Sequence, residues 1–157
     1  MNLILEKTDE VPFFTNMESV FHALKIPCQD YDWYLSDLDT SYYPEGFSPR
    51  DQWMTGKELS RLISGQNFQF NWGVFSAVPK GFHCEIEDAP FADGNSAYWI
   101  DPDYHPQLRC ALFEITCWDS SATILAGISP EAAANFLRAF PDTRPLSDHT
   151  RTVSKEK

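Results

Sequence analysis

Between residues 68 and 78 large apolar side chains fall on alternate positions: Phe68, Phe70, Trp72, Val74 and Val78, with Ser76 the one break. Successive side chains of an extended chain point to opposite faces, so a period of two demands a strand with a buried face. Gln69, Asn71 and Gly73 mark the other face as polar, and Pro79 stops the run. A strand of this length cannot stand alone, because its backbone amides and carbonyls need partners, and the rest of the chain must supply a sheet.

Residues 2–6 and 31–38 read as further strands, and residues 108–118 and 121–128 as a hairpin. In that hairpin Ala111, Phe113, Ile115 and Cys117 share one face, Ala122, Ile124, Ala126 and Ile128 another, and Trp118-Asp-Ser-Ser121 makes the turn. Residues 82–87 and 96–100 read as short edge strands. Helices are expected at 16–25, 56–64 and 130–140. The first two begin with capping-box patterns, Thr15-x-x-Glu18 and Thr55-x-x-Glu58, and the third with Ser129-Pro130. Gly65 is placed to close the second. Strands that follow one another without intervening helices exclude a wound parallel sheet. They predict an α+β fold, a mainly antiparallel sheet with about three helices packed on one main face. Phe70, Trp72, Phe113, Ile115, Ile124 and Phe136 should then be nearly inaccessible to solvent.

A chain of 157 residues has room for one core. Residues 1–143 are expected to form a single globular domain, and residues 144–157, poor in apolar side chains, a flexible polar tail. The formal charge is −11; removing Arg144, Arg151, Lys155 and Lys157 together with Asp148 and Glu156 leaves −13 on the body. Such a body repels nucleic acid and anionic membranes, whose binding needs clustered Lys and Arg. The opening Met-Asn-Leu-Ile-Leu-Glu-Lys lacks the pattern of a secretory signal, and no apolar run is long enough to span a bilayer. The expected address is the cytoplasm, where Cys28, Cys84, Cys110 and Cys117, free of any CxxC spacing, should act as reduced, buried apolar groups.

No residue set reaches the specificity of a catalytic or metal signature, so neither a catalytic centre nor a cofactor is assigned. His83-Cys84-Glu85 has the HxE of zinc deaminases, but Cys110 and Cys117 lack the Pro-Cys-x-x-Cys spacing that completes such a site. Asp101-Pro-Asp103-Tyr-His105 gathers two carboxylates and an imidazole, without the frame of a calcium loop. Glu114 interrupts an apolar strand and should reach solvent or meet an arginine, Arg61 or Arg109.

Two segments combine acids with aromatic rings. Residues 30–51 hold six acids, one base and the rings of Tyr31, Trp33, Tyr34, Tyr42, Tyr43 and Phe47. Residues 85–103 hold six acids, no Lys or Arg, and Phe91, Tyr98 and Trp99. Rings supply rigid contact area and carboxylates steer a cationic partner. Candidate partner-binding residues are therefore Tyr34, Asp37, Asp39, Tyr42, Tyr43, Phe91, Asp93, Trp99, Asp101 and Asp103. The same pattern arises when core rings alternate with acids on a solvated face.

The succession Tyr31-Asp-Trp-Tyr34, Gly56-Lys-Glu-Leu-Ser-Arg-Leu-Ile63, Phe75-Ser-Ala-Val-Pro-Lys-Gly81 and Trp118-Asp-Ser-Ser121 resembles a small bacterial family of uncharacterised proteins, over most of residues 30–140. That family carries no assigned activity, so the resemblance implies no site residues. In size, acidity and aromatic content the chain also resembles the immunity proteins of bacterial toxin systems. The expectation is a non-catalytic cytosolic binding protein, immunity- or antitoxin-like, that occludes a basic protein partner. The alternatives are a small metal-dependent or hydrolytic enzyme using Asp101, Asp103, His105 and Glu114, and a regulatory domain of unknown ligand.

Overall fold

The computed structural model describes residues 1–11, 13–65 and 68–148. Seven antiparallel strands form one sheet in the order β3-β2-β4-β5-β6-β1-β7. In chain order the elements are β1 (Leu3–Leu5), α1 (Met17–Leu24), a single 3-10 turn (Cys28–Asp30), β2 (Tyr31–Thr40), β3 (Gln52–Thr55), α2 (Gly56–Ile63) and β4 (Phe70–Pro79). They continue with α3 (Ala97–Ile100), β5 (Phe113–Trp118), β6 (Ala122–Ala126), α4 (Pro130–Ala139) and β7 (Arg144–Pro145). The fold is α+β with a mainly sheet core, as the order of strand and helix signals predicts.

Both faces of the sheet are buried, by different means. On one, Leu3, Leu5, Trp33, Leu35, Phe75, Ala77, Phe113, Ile115, Cys117 and Leu125 pack against the apolar stripes of α1 and α4 and against Leu59 and Ile63 of α2. Trp33 anchors this layer, edge-on to Phe21 at 5.2 Å and to Phe113 at 5.7 Å. Rings meeting edge to face add to the area they remove from water. The second face is covered by residues 80–112, which are irregular apart from α3. Tyr98 and Tyr104 lie over Ile4, Ala122, Ile124 and Ala126, and Leu108 lies with Tyr34 and Val78.

The alternating run around β4 is interrupted. Register shifts with β2 lie between Ser36 and Asp39 and again between Asp39 and Thr40, and Asp37 sits there at φ 52°. An extra residue in a ladder switches which face the following side chains take. Phe68 and Phe70 therefore join the helix-covered core, whereas Trp72 packs against Trp118. Trp72 is half-buried; Phe70, Phe113, Ile115, Ile124 and Phe136 are buried as expected.

Local chemistry sets the helix ends. Thr55 and Glu58 form the reciprocal capping box, and Gly65 follows α2 at φ +67°. The other box does not form: Thr15 stands at φ 61°, Asn16 is the cap of α1, and its side chain accepts from the Ser19 amide. Gly56 is required for space, since a Cβ there would lie 2.1 Å from the Cys28 carbonyl oxygen and 2.4 Å from that of Tyr31.

Further expectations are corrected. Ala97–Ile100, within the expected strand 96–100, form the single helical turn α3, and of these residues Tyr98 is the buried one. Residues 82–87 are irregular, and 108–112 precede β5 instead of belonging to it. The short strand β3, not anticipated, forms the sheet edge against β2. Cys84 and Cys110 form a disulfide, while Cys28 and Cys117 are the free, buried thiols expected. Arg144 and Pro145 pair with β1 and Leu146 is buried, so the sheet and core take in the first residues of the expected tail. Residues 149–157 of that tail lie outside the described residues.

Candidate functional site

The irregular covering segment is fastened to the sheet by carboxylates of β2 and β5. In β2, Asp37 Oδ2 accepts hydrogen bonds from the amides of Ala92, at 2.7 Å, and Asp93, at 2.9 Å. The neighbouring Ser36 Oγ donates to the Pro90 carbonyl at 2.7 Å. The amide of Asp37 itself donates to Asp51 Oδ1 at 3.1 Å, so the end of the β2–β3 connection is drawn to the same point. The two acid–aromatic segments thus meet at Asp37.

Around that meeting point Asp39 is exposed and accepts from the Tyr43 hydroxyl at 3.4 Å and from Asn71 Nδ2 at 3.0 Å. Asp93 is exposed, and the rings of Tyr42, Tyr43 and Phe91 are 54%, 43% and 49% accessible. Rings left in water forgo their burial energy; Tyr42 and Tyr43 meet Phe68 and Phe47 of the helix-side core, whereas Phe91 belongs to the covering segment beside Ala92.

The other candidates lie elsewhere. Tyr34 is buried against Trp53 at 5.1 Å, and burial, with the charge of Asp51, pushes its hydroxyl pKa up. Trp99 is half-buried, edge-on to Trp118 at 4.7 Å. Asp101 and Asp103 are exposed beyond α3, whose Tyr98 hydroxyl meets Thr116 of β5. Asp101 Oδ1 is taken by the Asp103 amide at 2.9 Å, which closes a local turn.

Glu114, in β5, does not reach solvent and does not meet an arginine; it is the fastening carboxylate of that strand. It is wholly inaccessible, yet each oxygen has donors: Ser76 Oγ and the Leu108 amide on Oε1, the Gln107 amide on Oε2, all at 2.9 Å. Burial raises its pKa, and the three donors pull the other way. Three good hydrogen bonds are what allow a carboxyl to be buried at all. Beside it, Gln107 Nε2 donates to the Tyr98 hydroxyl at 2.8 Å, which continues the polar row to Thr116.

A third cluster escaped the sequence reading. His83 stacks on Trp53 with ring centroids 4.1 Å apart and planes 7° apart, and its Nε2 lies 3.4 Å from Oδ2 of the buried Asp32. That oxygen also accepts from the Gly81 amide. The imidazole is held flat on a ring rather than offered to a nucleophile. Its only sequence signal was Asp32, an acid in an aromatic strand.

The HxE pattern cannot recruit its cysteines here: Cys84 and Cys110 are bonded to each other, and Cys117 is buried on the helix-covered face against Met17. Among the described residues no group of three His, Cys, Asp or Glu side chains is placed to hold a metal ion, and no helix is long and apolar enough to cross a membrane. What the surface around Asp37 offers chemically is contact area and negative charge. No protein-family model, no curated protein and no solved structure matches the chain.

Proposed function

We propose that the chain is a non-catalytic binding protein that takes a basic protein partner on the surface around Asp37, where β2 meets residues 92–93, in the manner of an immunity or antitoxin protein working in the cytoplasm. The observation that supports this reading is the double anchorage of Ala92 and Asp93 on Asp37, which joins two acidic segments that are distant in sequence and that carry the exposed rings of Tyr42, Tyr43 and Phe91. Exposed Asp39, Glu45 and Asp93 would steer the encounter, and Tyr42, Tyr43 and Phe91 would supply the buried centre of the interface. Asp37 itself is occupied by the fold and acts by holding the surface together.

The test is association of the full-length protein with the product of the adjacent gene and, separately, with a Lys/Arg-rich peptide. Asp39→Lys with Asp93→Lys should slow association at least tenfold at low salt, with the difference shrinking as salt rises, since charges are screened beyond about 8 Å at physiological ionic strength. Reversing Glu18 and Glu131, exposed on α1 and α4, should change it little. Equal effects from the two pairs would make the acids a general solvated charge and remove the support for a recognition surface.

A further inference from the structure

We propose that the Cys84–Cys110 disulfide is a thiol-exchangeable clasp, and that its reduction releases residues 84–110 from the second face of the sheet while the helix-covered core stays folded. The two cysteines close a segment of sequence separation 26 whose only regular element is α3. Between them the segment holds to the sheet by hydrogen bonds at separate points, Pro90 on Ser36, Ala92 and Asp93 on Asp37, Tyr98 on Thr116, and Gln107 and Leu108 on Glu114, and by the buried side chains of Tyr98 and Tyr104 over Ile4 and Ile124 and of Leu108 beside Val78. Closing the ends makes each of these contacts cheaper in chain entropy, because a cross-link limits where the released segment can go. The other face has its own contiguous core of α1, α2, α4 and the inner residues of five strands, to which none of residues 84–110 contributes a buried side chain. Local opening without global unfolding is what such a division permits.

Access is built in. Both sulfurs belong to half-buried residues, and Cys84 and Cys110 line an open cleft of about 440 Å³ together with Glu85, Glu87, Asp88, Gln107, Leu108 and Arg109. Exchange needs a thiolate to reach a sulfur in line with the bond, and a cleft open to solvent allows it. Three carboxylates against one guanidinium in that lining disfavour a reductant of net negative charge and favour a neutral dithiol. Cys28 and Cys117 are buried, and burial pushes both thiols up, so neither competes as an internal nucleophile.

The reaction balances with a dithiol as reductant. Its thiolate attacks one sulfur of the pair, forming a mixed disulfide and expelling the other cysteine as thiolate, which takes a proton. The second thiol of the reagent then displaces the remaining cysteine sulfur. The protein gains two electrons and two protons, and the dithiol leaves as a cyclic disulfide. The inference stands whether or not the segment meets a partner.

Dithiothreitol treatment of the folded full-length protein, followed by alkylation and mass mapping, should label Cys84 and Cys110 and leave Cys28 and Cys117 unlabelled. Hydrogen exchange should then rise at least tenfold across residues 86–108 and stay unchanged in 17–24 and 130–139. The Cys84→Ser, Cys110→Ser double variant should show the reduced pattern without reductant. A bond that does not form in the purified protein, resists dithiothreitol, or is reduced with no change in exchange would overturn the proposal. Loss of protection in every helix, or a double variant that fails to fold, would also overturn it, since the bond would then hold the whole domain.

Discussion

Replacing Glu114 with Ala removes the acceptor for three donors at once. Ser76 is wholly inaccessible and Leu108 is 4% exposed, so the Ser76 hydroxyl and the Leu108 amide have no easy route to water. The Gln107 residue is only half-buried and its amide recovers hydration more readily. An unmet buried donor costs about 1–3 kcal/mol, so two give roughly 2–6 kcal/mol. Deleting the carboxyl also removes the cost of having buried it, which offsets part of that sum and leaves an expected loss of about 2–4 kcal/mol. Urea denaturation followed by circular dichroism should show the midpoint fall by about 1–2 M, given a slope of about 2 kcal/mol/M. Glu114→Gln keeps one acceptor oxygen and the volume, and should lose about 1–2 kcal/mol. The pH dependence gives a second readout. Burial raises the Glu114 pKa above its ordinary 4.5, so the folded chain holds that proton more tightly than the unfolded chain does. Its contribution is then greatest below about pH 4.5 and declines as pH rises from there to the folded value. In the Gln variant this decline should vanish. A loss under about 0.5 kcal/mol for Glu114→Ala would refute the assignment of this residue as the fastening point of the 107–108 backbone.

Two further substitutions probe the packing. Phe113→Ala, which empties a site between Tyr31 at 5.2 Å and Trp33 at 5.7 Å, should cost about 3–5 kcal/mol by thermal or urea melting. Gly56→Ala should cost at least ~3 kcal/mol, because its new methyl meets two backbone carbonyls that cannot rotate away; a melting temperature within a few degrees of the parent would contradict the close approach of α2 to the 28–31 turn.

The periodic parts of this fold were legible because their causes are local. The stripe of Met17, Val20, Phe21 and Leu24, the box of Thr55 and Glu58, and the alternation of Phe113, Ile115 and Cys117 each depend on neighbours a few residues away. What was misread depends on contacts that sequence distance hides. The register shift between Asp39 and Thr40, which leaves Asn71 of β4 as the extra residue between Trp72 and Phe70, reverses the face taken by Phe68 and Phe70, and it follows from how β2 pairs with β4. Four residues, Ala97–Ile100, carry too little pattern to separate a helical turn from a strand. The pairing of Cys84 with Cys110 has no signature in spacing. Of the candidate surface, the acids and rings were all visible, but not their division into buried and exposed. Tyr34 and Tyr42 look alike in sequence, but Val78, Leu108 and Trp53 of the unanticipated edge strand bury the first.

The acidity of the chain therefore has two origins that composition alone adds together. Ser76 and Glu114 were each noted as a polar break in an apolar strand, one in β4 and one in β5. In the sheet they stand directly opposite and bond to each other, so the two apparent defects are one feature. Asp32, Asp37 and Glu114 all spend their oxygens on amides of residues 81–108, on the one face of the sheet that the three longer helices do not cover. A segment with almost no internal hydrogen-bond ladder has backbone donors to satisfy, and carboxylates projecting from the strands beneath satisfy several at once. Those acids are a consequence of covering a sheet with loop instead of helix. Of the other acids in the two acid–aromatic segments, Asp39 accepts from Asn71 of β4 and from the Tyr43 hydroxyl, and Glu45 and Asp93 stand exposed in the same segments as the exposed rings of Tyr42, Tyr43 and Phe91. It is this remainder, and not the net charge, on which a partner-binding reading has to rest.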